Sequence, residues 1–134
     1  MYLLDTNIWL ERLLGQAHAE EVGQFLDTVP ADQLLITDFT LHSLGVILNR
    51  LGEATVFTQL VQDVLIDGAV NLIRLSPMTM YRVVAIMEQY SLDLDDAYQY
   101  VVAEREQAML VSFDRDFDRT ARGRQTPAQV LVNL

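Results

Sequence analysis

Three aspartates stand where an apolar run of the chain stops. Asp5 follows Tyr2-Leu3-Leu4, Asp38 follows Leu34-Leu35-Ile36-Thr37, and Asp114 follows residues 108–113, Ala-Met-Leu-Val-Ser-Phe. If these runs are strands of one parallel sheet, their far ends deliver three carboxylates to one edge. That edge is where open α/β sheets collect their ligands. Crowded carboxylates raise one another's pKa and destabilise a fold unless a proton or a cation compensates. An all-oxygen cluster suits Mg²⁺ or Mn²⁺. Such an ion, or a pair of them, lowers the pKa of a water and holds a phosphodiester for in-line attack. An aspartate after a strand is equally a turn or cap residue, so position alone leaves both roles open.

Several other chemistries lack their parts. The chain has no cysteine, which removes disulfides, thiolate metal sites and cysteine nucleophiles. All nine basic residues are arginine, so Schiff-base and lysine-base chemistry are absent, and so is the lysine that a phosphotransfer receiver domain needs. A dehalogenase-type phosphatase requires a second aspartate two residues after the first, and that position is Asn7. A Ser–His–Asp hydrolase would have only His18 and His42 to draw on, and no serine sits in a Gly-x-Ser-x-Gly turn.

The elements that must position the acids are legible as periodicities. Strands are expected at residues 2–4, 34–37, 70–75 and 108–113, with a further short one at 129–133 after Pro127. Val22, Phe25, Leu26 and Val29 recur at helical spacing, and Pro30 and Asp32 mark the turn after them. A helix carrying Leu41, Leu44, Leu48 and Leu51 follows, with Asp38 able to cap it and Gly52 to end it. Val56, Phe57, Leu60, Val61, Val64 and Leu65 form another stripe before Gly68. The stripe of Met80, Val83, Val84, Met87 and Tyr90 reads as core. Residues 94–106 read as a helix facing Ala97, Tyr98, Val101 and Val102 inward, and Glu11 falls on the outer face of the first helix. Strands alternating with helices imply βαβ units. The expected fold is a three-layer α/β/α sandwich with a central parallel sheet of four to five strands. With no repeat, linker or low-complexity tract, residues 1–134 are expected to form a single domain.

At 134 residues and 51% apolar, the chain can bury a sizeable core. No apolar run is long enough to span a membrane, and the N-terminus does not read as a signal peptide, so a cytoplasmic protein is expected. The net charge of −10 opposes nucleic-acid binding unless divalent cations neutralise the clustered acids. Arg115, Arg119, Arg122 and Arg124 fall within ten residues of one another. They are candidates for contact with a nucleic-acid backbone, or they form a solvated surface of Asp–Arg pairs.

Leu3-Leu4-Asp5-Thr6-Asn7, then Asp96-Ala97, then Leu110-Val111-Ser112-Phe113-Asp114-Arg115-Asp116-Phe117 occur in that order. The set resembles the signatures of the PIN-domain family over essentially the whole chain, and is most similar to the VapC-like toxins of toxin–antitoxin pairs. The resemblance implies that Asp5 is the first metal-binding aspartate, with Thr6 and Asn7 orienting it. Asp96 matches the aspartate opening the fourth conserved helix, while Asp95 is turned roughly 100° away. Asp114, two residues after Ser112, matches the acid of a T/S-x-D element, and Asp116 its variable follower. By the resemblance, these acids bind Mg²⁺ or Mn²⁺ and hydrolyse RNA phosphodiesters. It further implies a homodimer, silenced by a small antitoxin protein that covers the acidic cleft.

One position departs from the pattern. Aligning residues 36–44 with the family's second motif puts Ser43 where a glutamate is expected. Asp38, at a strand end, is the expected replacement, with His42 one turn along the same face. The bland alternative makes Asp38 an N-cap and His42 an ordinary partly exposed histidine. If the missing carboxylate abolishes activity, the chain would instead be a PIN-like scaffold that binds protein or RNA.

Overall fold

A strand buried on both faces needs apolar side chains at every position, and the short runs supply them. In the computed structural model, which describes all 134 residues, β1 (Tyr2–Leu4), β2 (Leu34–Thr37), β3 (Asn71–Ile73) and β4 (Met109–Val111) form one parallel sheet. The strand order is β3-β2-β1-β4. Leu3 pairs with Leu35 on one side and Leu110 on the other. All three face one core, while Leu4, Leu34, Ile36 and Val111 face a second core across the sheet. The two-residue period of a strand thus divides the apolar side chains between two layers.

Seven α-helices cover the sheet: α1 (Thr6–Leu13), α2 (Ala19–Thr28), α3 (Asp38–Arg50), α4 (Ala54–Leu60), α5 (Met80–Tyr90), α6 (Leu94–Glu106) and α7 (Pro127–Val132). Helices α5 and α6 pack on the face of Leu3, through Val83, Ile86, Ala97 and Val101. Helices α1, α2, α3 and α7 pack on the other, through Ile8, Phe25, Leu44 and Val130. This is the expected α/β/α sandwich. None of the helices is long and apolar enough to cross a membrane.

The expected strand at 129–133 is not formed, and the sheet has four strands. Residues 127–132 are helical, because Thr126 and Gln129 close a reciprocal capping box and Pro127 occupies the first turn. The third strand is shorter than residues 70–75 and lies at the sheet edge, with Asn71 and Leu72 exposed. The stripe from Val56 to Leu65 divides into α4 and a π-helical turn, Val61–Ile66. Thr37, not Asp38, caps α3, its hydroxyl accepting from the Thr40 N–H. Gly52 adopts φ +73° just past the end of α3, as the sequence predicts for a helix stop.

The chain moves outward from β1 to β2 and β3, then crosses back to place β4 on the other side of β1. The order therefore reverses between β1 and β4, and a crevice opens beyond the carboxyl ends of those two strands. Asp5 follows β1 directly, and Asp114 stands three residues past β4.

Candidate metal centre

Asp5 is 6% exposed and four donors reach its carboxylate. It accepts from the Thr6 N–H at 2.8 Å and the Ser112 hydroxyl at 2.7 Å, from the Gln99 amide at 3.1 Å, and more weakly from the Asn7 amide at 3.4 Å. Burial nevertheless pushes its pKa above the ordinary carboxylate value, with the charge of Asp114 adding to the effect and the hydrogen bonds opposing it. Thr6, Asn7 and Ser112 thus all contact the Asp5 carboxylate. Ser112 also accepts from the Asp114 N–H at 2.9 Å, so one serine ties together the two strand-end acids.

Asp96 is in a different condition. It is 8% exposed and lies in the first turn of α6, without a hydrogen-bond donor to its carboxylate. Burial first, then the charges of Asp95, Asp114, Asp5 and Asp116, push its pKa up to about 8. Carboxylate oxygens of Asp96, Asp114 and Asp116 lie within 4.8 Å of one another. Asp5, Asp96 and Asp114 all line a single cleft of about 250 Å³, together with Thr6, Asn7, Gln99 and Ser43. The structure thus brings the three predicted acids together, with Asp116 in the tighter group.

Asp38 is not among them. Its carboxylate accepts from the Tyr98 hydroxyl at 2.8 Å and the Phe39 N–H at 2.9 Å, which fastens α3 to α6. The reason is helical phase. Phe39, Ser43 and Ile47 present the cleft-facing side of α3, and Asp38 and His42 lie one residue back, roughly 100° around. His42 is exposed and borders a separate groove with Phe57. Asp95, which was expected to point elsewhere, does line the cleft. It is exposed at the rim, where the first turn of α6 lets adjacent residues flank one opening.

Gln99 and Thr40 were missed by sequence reading. Gln99 is 1% exposed and donates both to Asp5 and, at 2.6 Å, to Thr40, whose hydroxyl is 2.9 Å from that of Thr6. Gln99 falls three residues after Asp96, one turn along the same side of α6, and that spacing was the available signal. The Glu11 carboxylate accepts from the His18 N–H at 2.9 Å, holding the α1–α2 loop.

The arginine cluster is mostly committed within the chain. Arg119 donates to the Tyr90 and Ser91 carbonyls and pairs with Asp116 at 3.1 Å. Arg122 donates to the carbonyls of Ala103 and Ala108 at the end of α6. Arg124 pairs with Asp118 and donates to the Ser112 carbonyl. Arg115 is exposed and makes no hydrogen bond or ion pair.

The donor set fits a hard divalent cation. Every candidate ligand is oxygen, several carboxylates crowd one cleft, and the buried Oε1 of Gln99 has no partner. A parallel α/β sandwich with aspartates gathered at its switch point defines the class of protein. The chain belongs to the PIN-domain family, which it matches over residues 2–123.

Solved structures of similar fold include a chain of a toxin–antitoxin complex from Klebsiella pneumoniae, at 26% identity and TM-score 0.75, covering 95% of this chain and 98% of that one. VapC20 of Mycobacterium tuberculosis, described as a sarcin-ricin-loop-cleaving toxin, is 14% identical with TM-score 0.79, covering 91% and 96%. FitAcB from Neisseria gonorrhoeae is 19% identical with TM-score 0.76, covering 96% and 99%. Comparison with curated protein sequences gave no match.

Proposed function

We propose that this chain is a metal-dependent endoribonuclease that hydrolyses RNA phosphodiester bonds and acts as the toxin of a toxin–antitoxin pair. The observation that carries the reading is the convergence of Asp5, Asp96 and Asp114, with Asp116, at the switch point of the sheet. Membership of the PIN-domain family and the toxin–antitoxin origin of similar structures support it.

Asp96, Asp114 and Asp5 would hold Mg²⁺ or Mn²⁺, with Asp116 assisting. The ion would supply Lewis-acid charge to the phosphodiester and make a water acidic enough to attack it. The residues divide the remaining work. Asp5 is immobilised by four donors, so its oxygens present a fixed edge to the cleft. One Asp114 oxygen accepts from the Asp116 N–H at 2.8 Å, leaving the other without a hydrogen bond inside the protein and available to a ligand. Asp96, without donors, contributes the lone pairs most in need of a cation. Asp95 at the rim can supply the charge that Ser43 does not. Arg115 is the remaining free cation of its cluster for contact with an RNA phosphate.

Homodimerisation and capture by a small acidic-cleft-covering antitoxin belong to the same proposal. A structured RNA panel incubated with Mn²⁺ should be cleaved by the wild type, spared in EDTA, and spared by Asp5→Asn. Equal inertness of wild type and variant at high protein concentration would sink the enzymatic reading.

A second reading is favoured by Ser43, which lines the cleft without a charge. On that reading the chain is a PIN-like scaffold, binding protein or RNA, whose acids hold no metal.

A further inference from the structure

Phe113 lies between Ser112 and Asp114, so its ring leaves the chain between two residues of the acidic centre. Its N–H donates to Asn7 Oδ1 at 3.2 Å, and the Asn7 amide in turn donates to Ser112. The His18 imidazole stacks on the Phe113 ring, with centroids 4.5 Å apart and planes inclined by 22°. His18 is itself fixed at the start of α2: its N–H donates to Glu11, and its carbonyl accepts from the Val22 N–H. The side chain of His18 is nevertheless 51% exposed, and its nearest charged neighbour is the Glu21 carboxylate at 3.9 Å. One face of the imidazole rests on Phe113, and about half of the side chain is open to solvent.

A loop plug would bury its side chain and would need no polar ring. A preorganised, half-exposed ring whose partner Phe113 sits between Ser112 and Asp114 suits an unpaired nucleobase, since unpaired RNA bases stack on aromatic and histidine side chains. Stacking is also the attraction least dependent on charge. That matters in a chain of net charge −10 whose Arg119, Arg122 and Arg124 are bonded internally.

We propose that the His18–Phe113 ring pair is a stacking platform for an unpaired base of the RNA substrate, beside the acidic cleft. The proposal rests on the reading of this protein as a ribonuclease.

The test is the binding of a short single-stranded RNA carrying 2-aminopurine, followed by fluorescence with Ca²⁺ in place of Mn²⁺ to neutralise the clustered acids, the strand being checked as intact afterwards. Wild type, His18→Ala and His18→Phe are compared after circular dichroism has shown all three folded. The expected result is quenching on binding to wild type, about tenfold weaker binding by His18→Ala, and retention by His18→Phe within about twofold. Equal binding by wild type and His18→Ala, failure of His18→Phe to restore binding, or no binding by wild type would each overturn the platform. Binding through His18 by a protein that leaves RNA intact with Mn²⁺ overturns the nuclease reading alone. Cleavage indifferent to His18 overturns the platform alone.

Discussion

Asp5 and Asp96 carry the same side chain into the same cleft and meet opposite treatment. Asp5 is surrounded by donors, whereas Asp96 is buried beside four other carboxylates with nothing to satisfy it. The consequence for stability follows from the direction of the shift. With a folded-state pKa of about 8 against an ordinary 3.8, Asp96 keeps in the native protein a proton that the unfolded chain releases. The contribution of Asp96 to metal-free stability is therefore full below about 3.8 and is lost progressively as pH rises from there through about 8. Asp96→Asn removes the charge and should remove most of that decline. At the alkaline end, thermal denaturation without metal should show the variant more stable by about 1–3 kcal/mol, several degrees in Tm. A wild type and variant with parallel pH profiles would contradict this account of Asp96. Residue types alone exposed the acids. They did not expose Gln99 or Thr40, because a buried polar partner is defined by contacts across elements, and helical periodicity records only which face is apolar.

At the scale of elements, the C-terminal segment after β4 does two jobs. Its start carries Asp114 and Asp116, and the arginines that follow staple it to α5, α6 and β4. Arg122 satisfies the Ala103 and Ala108 carbonyls at the end of α6. Truncation to Ala removes both bonds and frees the segment, although the Ala108 N–H still reaches the Ala103 carbonyl. Arg122→Ala should lose about 1–2 kcal/mol, read as a lowered denaturation midpoint in urea, with Mn²⁺ affinity little changed. The same segment shows where local signals were outweighed or overlooked. Val130, Leu131 and Val132 suggested a strand, yet Thr126, Pro127 and Gln129 spell a helix start, and the cap prevails. The Asp38 expectation failed through one residue of phase. Thr37 took the cap, and α3 then turned Ser43 rather than Asp38 toward the cleft.

For the whole molecule, the layer order and sheet were legible because each strand run is apolar at nearly every position and each long helix carries a clear stripe. The strand order was not, since pairing between distant strands leaves no local mark in a single sequence. That order is what creates the switch point between β1 and β4 and brings Asp5 within reach of Asp114. A fold that concentrates uncompensated acid at one crevice, in a chain already at −10, is costly unless a cation is bound there. Calorimetric titration of Mn²⁺ into the wild type and Asp96→Asn, with thermal melts of both, tests this most directly. The account predicts saturable binding and a raised Tm for the wild type, with both lost in a folded Asp96→Asn. Identical heats and identical melts for the two proteins would contradict it and leave the scaffold reading in its place.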